Sequence, residues 1–276
     1  MIFATRRPAP PLDDHVEAIW LFQCAARPFA LERVLPTGGA QLIVNLKEDQ
    51  TRTYDAASGR CQRMPGATLG GVATRFQIID TAEQEHVAGV AFRPGGTTAF
   101  FPAPAHTLTD MDAPLDALWG ARATARLREQ LLEAATPDAA LDVLEWTLRT
   151  AFLGRARHPA VAFALDAFRR RPDVGRVGDV TSVIALSPKR FIERFKAEVG
   201  VTPKRYCRLL RFQQAVGRAH AARQVDWAEV AVACGYFDQP HFIRDFHEFS
   251  GLTPTAYGAA RTAFQNHVTF LQSDLG

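Results

Sequence analysis

The chain of 276 residues has only four cysteines, Cys24, Cys61, Cys207 and Cys234, and no two of them stand in a C-x-x-C pair. Thiols this few and scattered exclude a disulfide-built scaffold and a cysteine-rich zinc site, and they suit a reducing, cytoplasmic setting. No apolar run reaches the roughly 18 residues of a membrane span. The start of the chain, Arg6-Arg7 followed by prolines, has no apolar segment of the signal-peptide kind, so no membrane partner is expected. A G-x-S-x-G nucleophile elbow and a phosphate-cradling G-x-x-x-x-G-K are both absent. The first 115 residues offer His15, His86 and His106 without an H-x-H pair or a closely spaced carboxylate of metal-site type, so no metal and no cofactor are expected there.

What the chain does contain is a repeat. Phe191-Ile-Glu-Arg-Phe195, continuing through Gly200, Thr202, Pro203 and Tyr206, recurs 51 residues later as Phe242-Ile-Arg-Asp-Phe246 with Gly251, Thr253, Pro254 and Tyr257. Identities held at one offset mark an internal duplication. Phe191, Phe195 and Val199 fall on one helical face, as do Phe242, Phe246 and Phe249. Ser187-Pro188 and Asp238 read as N-caps, and Gly200 and Gly251 stand where a left-handed C-terminal residue is wanted, with Thr-Pro beyond. A shorter helix precedes each unit, Asp179–Ala185 and Glu229–Gly235, across turns at Leu186-Ser187 and Tyr236-Phe237. Helix, tight turn and helix, found twice, is the helix-turn-helix pattern. One long helix from Pro203 to about Arg223 would hold the two units at a fixed separation.

Charge divides the chain the same way. Residues 155–262 carry 18 Lys+Arg against 10 Asp+Glu, whereas residues 1–154 carry 14 against 18. A basic half with paired helix-turn-helix units points to double-stranded DNA. The acidic half reads as short strands between Gly, Pro and polar clusters, among them 18–23, 40–46, 76–80 and 86–92. The expected fold is therefore α+β in two domains: a β-rich barrel or sandwich over 1–115, a helical connector over 116–154, an all-α double helix-turn-helix domain over 155–262, and a tail, 263–276, without a clear signal. The connector helices suit a homodimer seam and a cap on the barrel equally well.

The segments Leu186-Ser-Pro-Lys-Arg-Phe191, Phe195-Lys-Ala-Glu-Val-Gly-Val-Thr-Pro-Lys-Arg-Tyr206 and Ala231-Val-Ala-Cys-Gly-Tyr-Phe-Asp-Gln-Pro-His-Phe242, with Gly251-Leu-Thr-Pro-Thr-Ala-Tyr257, resemble the AraC/XylS family of bacterial transcription regulators. The resemblance covers about 158–262. A second one, carried by Glu32-Arg-Val-Leu-Pro36, Phe92-Arg-Pro-Gly-Gly96 and Leu115-Asp-Ala-Leu-Trp119, is to a subgroup with a cupin-like N-terminal domain. The first resemblance implies two recognition helices in adjacent major-groove segments, with RNA polymerase as a further partner. The outward positions of the two recognition helices are Lys189, Arg190, Glu193, Arg194 and Lys196, then Gln239, Pro240, His241, Arg244 and His247. Carried onto this sequence, the resemblance implies base-edge contacts near Lys189, Ile192 and Glu193, then near Gln239, His241, Ile243 and Arg244. Glu193 stands where the family commonly has arginine or a polar reader; it can accept from cytosine N4 but repels phosphate. Lys204, Arg205, Arg208 and Arg211 are expected to clamp phosphates or stand in solvent. Ile192 and Ile243 face two alternatives, packing on the scaffold helix or touching a thymine methyl.

For a small-molecule effector, the polar residues bordering strand-like runs are Arg33, Asn45, Arg75 and Arg93, around a pocket expected inside the barrel. The rival to a regulator is an enzyme or alkyl-transfer repair protein fused to a DNA-binding module, with Cys61 or Cys24 as acceptor. No catalytic set supports that rival in the sequence.

Overall fold

The computed structural model describes residues 1–25, 31–170, 184 and 186–270. Ten strands come from the N-terminal half: β1 (Ile2–Arg6), β2 (Val16–Gln23), β3 (Leu31–Val34), β4 (Gln41–Asn45), β5 (Gln50–Tyr54), β6 (Cys61–Pro65), β7 (Ala67–Gly70), β8 (Gln77–Asp80), β9 (His86–Phe92) and β10 (Asp112–Pro114). They pair antiparallel in two sheets, one in the order β1-β2-β9-β4-β7-β10 and one containing β3-β8-β5-β6. The predicted strands appear as β2, β4, β8 and β9. The short polar strands β5 and β6 carry no alternation of apolar residues and are set by pairing with each other.

Three helices follow: α1 (Leu115–Trp119), α2 (Ala121–Glu133) and α3 (Pro137–Ala151). Thr136 caps α3 by accepting from the Ala139 amide, ahead of a proline at the first helical position. Leu127 and Leu131 of α2 and Leu141, Leu144 and Leu148 of α3 recur at helical spacing and are all buried. They share one core with Ile19, Leu42, Val44, Leu69, Val90 and Phe92 of the larger sheet. Each such leucine contributes about 2 kcal/mol of burial, so of the two sequence alternatives the inner face of the connector is taken by the sheet.

The C-terminal half is helical: α4 (Pro159–Arg170), α5 (Pro188–Val199), α6 (Pro203–Ala221), α7 (Trp227–Ala233), α8 (Gln239–Ser250) and α9 (Pro254–Ala260). Apart from Ile184, the short helix expected over 179–185 lies outside the described residues. The repeated phenylalanines build the core. Phe191 and Phe195 pack with Phe168 and Tyr206, and Phe242, Phe246 and Phe249 surround Phe212, Trp227 and Tyr257. Thr202 and Thr253 cap α6 and α9 with Pro203 and Pro254 at their starts, so Gly-x-Thr-Pro ends one helix and begins the next.

The tail departs from its sequence reading. Residues His267–Phe270 form β11, which joins the edge of the smaller sheet beside β3, with Val268 opposite Arg33 and Phe270 opposite Leu31. Val268 and Phe270 are buried and His267 Nδ1 lies 2.9 Å from the buried Glu32 carboxylate. A four-residue strand has too short an alternation to stand out in sequence; the free edge of β3 selects it. The two domains are joined elsewhere as well. Leu35 and Val72 enter the helical core. Arg157 donates to the carbonyls of Pro94 and Asp14, and Thr109 donates to that of Gly200 at 2.6 Å.

Candidate nucleic-acid interface

The two recognition helices are α5 and α8, bridged by α6. At 1.5 Å per residue the 19-residue α6 is about 28 Å long, comparable with one turn of DNA. Both recognition helices begin with a side-chain cap on the third amide: Ser187 accepts from Arg190 at 3.4 Å, and Asp238 from His241 at 2.7 Å. Both end on a glycine with positive φ, Gly200 at 97° and Gly251 at 68°, where an L side chain is strained. At Gly251 a Cβ would also lie 2.3 Å from the ring of Phe76 in the N-terminal domain.

On α5 the predicted residues Lys189, Arg190, Ile192, Glu193, Arg194 and Lys196 are all exposed, while Phe191 and Phe195 point inward. The face is strongly cationic. On α8, Gln239, Pro240, Ile243 and Arg244 are exposed and His241 is half-buried. Ile192 is 38% and Ile243 44% exposed, so the reading in which both pack on a scaffold helix gives way to the outward one. The N-terminal domain meets α5 at its C-terminal end, around Gly200, and leaves the outward faces open.

The charge on α6 is arranged differently from expectation. Lys204 is exposed. Arg205, however, donates to the Thr74 carbonyl at 2.9 Å, pairs with Glu248, and lies over the Phe249 ring. Arg208 reaches both oxygens of Asp245, at 2.8 and 3.2 Å, and also Glu248. Arg211 is buried, 4.0 Å from Asp245 and over the Tyr236 ring. Three of the four expected phosphate clamps therefore anchor α8 inside the domain, because Asp245 and Glu248 face them across the α6–α8 contact. Burial opposes the charge on Arg208, but its hydrogen bonds to Asp245 and Glu248 outweigh that and raise its pKa. Burial likewise works against ionised Glu248, and the Arg205 and Arg208 guanidiniums overcome it and hold its carboxyl below the usual range.

The expected effector residues do not converge. Arg33 is buried between the Phe76 and Phe270 rings at the domain seam. Buried Asn45 organises its own turn, accepting from the Lys47 and Glu48 amides and donating to the Gln50 carbonyl. Arg93 is tied to Glu17 and to the Asp13 carbonyl. Arg93 also borders a small cavity of about 20 Å³ beside Val72 and Phe101, whereas Arg75 lines a cleft of about 1360 Å³ between β5, β6 and β8 on one side and the end of α8 on the other. Thr74, Phe76, His247, Glu248 and Gly251 line it too, so it lies between the domains and not inside the sheets as expected. Among the described residues no group of His, Cys, Asp or Glu stands ready for a metal ion, and no described helix is long and apolar enough to cross a membrane.

Paired caps and aromatic cores on two helices joined by a third, with an outward cationic face on α5 and an open, mostly uncharged face on α8, give residues 188–260 the frame of a helix-turn-helix DNA-binding domain. Residues 180–260 match a family model described as a helix-turn-helix domain, and residues 4–114 match one described as a domain of unknown function (DUF6597). The match over 180–260 falls within the stretch that resembles the AraC/XylS family. The probable transcriptional regulator LumQ of Photobacterium leiognathi is 33% identical over 81 residues, which span 29% of this chain and 32% of that protein. Two crystal structures of ToxT from Vibrio cholerae share the architecture. One, bound to (E)-4-(8-methylnaphthalen-1-yl)but-3-enoic acid, has a TM-score of 0.51 and 9% identity over 94% of this chain and 99% of that one. The other, an apo variant, has a TM-score of 0.50 and 9% identity over 95% and 98%. Identity this low establishes the fold.

Two features escaped the sequence reading. The internal role of Arg205, Arg208 and Arg211 was signalled only by Asp245 and Glu248 at i and i+3 on the facing helix. The other is Phe237, which the sequence places in a turn and the structure leaves almost wholly in solvent.

Proposed function

We propose that this chain is a sequence-specific DNA-binding transcription regulator. The carrying observation is that the outward residues of α5 and α8 remain open to solvent on two helices joined through α6, the arrangement by which a paired unit reaches successive major-groove segments. Lys189, Arg190, Arg194, Lys196 and Lys204 supply the sequence-independent affinity. Gln239 and Arg244 supply base reading, through adenine and guanine respectively, each discriminating by about 1–3 kcal/mol. RNA polymerase is the partner through which such binding acts on transcription. A second copy of the chain would meet this one through α2 and α3, whose outer faces leave Leu132 and Trp146 exposed.

The effector belongs to the same reading. A small molecule seated in the cleft between β6 and the end of α8 touches Arg75 on one domain and His247 on the other, and so reports its presence to the second recognition helix. Arg60, Arg63 and Arg75 line this cleft, which favours a ligand bearing a carboxylate, the group that the ToxT ligand carries. Cys61 opens onto the cleft as well. A mass increase on Cys61 after incubation with alkylated DNA would favour the repair reading instead.

The test is fluorescence-anisotropy binding of the full chain to the DNA upstream of its own coding region, against scrambled DNA, across a salt series. A preference of about a thousandfold, lost in Arg244→Ala, is expected. Equal and steeply salt-dependent binding to both DNAs, followed by failure to enrich any site from random duplexes, would overturn it.

A further inference from the structure

Phe237 occupies the position before the N-cap of α8, where an apolar residue ordinarily folds back onto the fourth helical residue and fixes how the chain enters the helix. The first unit follows that rule. Leu186 precedes the cap Ser187 and packs on the core that contains the fourth residue, Phe191. In the second unit the fourth residue, Phe242, is covered by Tyr236 at 5.1 Å and Trp227 at 6.2 Å between ring centroids. Its surface being taken, Phe237 is turned outward and is 95% exposed. A whole phenyl ring in water forgoes burial that would favour the fold, and nothing within the described chain covers it.

Its surroundings say what would. Phe237 is continuous with exposed Gln239, Pro240, Ile243 and Arg244, and it sits at the N-terminal end of α8, the end that a recognition helix presents to base edges. On that surface the one apolar group that a DNA major groove offers is the thymine C5-methyl. We infer that Phe237 is a specificity-determining residue that reads a thymine methyl beside the bases contacted by α8. This rests on the regulator reading above and adds to it the identity of one base.

The test uses the full chain and the operator it selects from random duplexes, with each thymine replaced singly by deoxyuridine, which removes only the methyl. One or two replacements under α8 are expected to weaken wild-type binding about fourfold, the worth of one buried methyl group. In Phe237→Ala the same replacements should cost nothing, the intact operator should bind about fourfold more weakly, and Tm should be unchanged because the ring touches nothing in the fold. Retention of both affinity and methyl dependence in Phe237→Ala would overturn the inference. So would an equal loss on every duplex without methyl dependence. Unchanged DNA binding with lost transcription would overturn it too and assign the ring to a protein partner. A wild-type chain that selects no sequence would fail the regulator reading itself, a result distinct from all of these.

Discussion

The two helix-turn-helix units descend from one pattern yet hold their recognition helices by different means. In the first, α5 is fastened by apolar packing and by Glu198, whose carboxylate accepts from the His158 amide at the start of α4; its outward charges stand in solvent, Arg194 lying 3.9 Å from Glu198 of the same helix. In the second, α8 is fastened by ions. Asp245 is 1% exposed and pairs with Arg208, and Glu248 joins Arg208 and Arg205, which reaches the N-terminal domain. Residue 245 is the repeat equivalent of Arg194, an exposed arginine. One position thus stands in solvent in one unit and serves internal anchorage in the other. The lesson is that duplicated sequence conserves the apolar frame and frees the polar positions to diverge.

The largest expected effect breaks this asymmetry outright. Asp245→Ala leaves Arg208 and Arg211 without their buried counter-charge and should cost about 3–5 kcal/mol, whereas Arg194→Ala should stay within about 0.5 kcal/mol. Urea unfolding of both variants measures the contrast, and similar losses would mean that the two helices are held alike.

The helix ends give the next contrast. Gly251→Ala meets both a left-handed backbone and the Phe76 ring, and a loss of about 3 kcal/mol is expected. At Gly200 the nearest atom to a new Cβ is Val72 Cγ2 at 3.2 Å, so Gly200→Ala should lose only the backbone share, about 1–2 kcal/mol. Thermal melts in parallel would rank them.

Neighbouring charges on α6 sharpen the comparison at the DNA surface. Lys204→Ala should reduce the slope of log affinity against log salt by about 0.9, one phosphate contact. Arg205→Ala should leave that slope alone and instead lower stability by about 1–2 kcal/mol, through its lost hydrogen bonds to Thr74 and Glu248. A fall in slope for Arg205→Ala would restore it as a phosphate clamp.

The contrast that is smallest per pH unit belongs to the N-terminal domain alone. Burial, helped by the neighbouring carboxylates Asp80 and Glu48 and opposed by Arg52, pushes the Glu83 carboxyl up to about 7. A folded pKa above the unfolded one makes a contribution that is complete below the unfolded pKa near 4.5 and is lost as pH rises through 7. Glu83→Gln should therefore flatten the stability profile between pH 4.5 and 7, by at most about 1.4 kcal/mol per unit. An unchanged profile would move that dependence to another group.

The frame of the C-terminal domain was legible because its signals are local. Caps at Ser187 and Asp238, glycines at 200 and 251, and phenylalanines at helical spacing each act within one or two turns, and each lies where its spacing placed it. The exposed face of α5 followed from the same period. Arg33 and Asn45 misled as ligand residues because a polar residue beside a strand is equally suited to closing a turn or a seam. Arg205, Arg208 and Arg211 misled for a related reason: a cation near a recognition helix meets whichever anion is nearest, and that anion was on α8.

By itself, then, the sequence determined two helix-turn-helix units, their recognition helices and a β-rich partner domain, since periodicity, capping and turn chemistry are properties of neighbouring residues. Only the tertiary structure decided that β11 completes the N-terminal sheet, that three arginines of α6 serve the interior, and that Phe237 is left outside. Each of those depends on which surface is already occupied when distant segments meet. Glu32, Asp245 and the Tyr236–Trp227 cover over Phe242 are such surfaces, and no local pattern reports them.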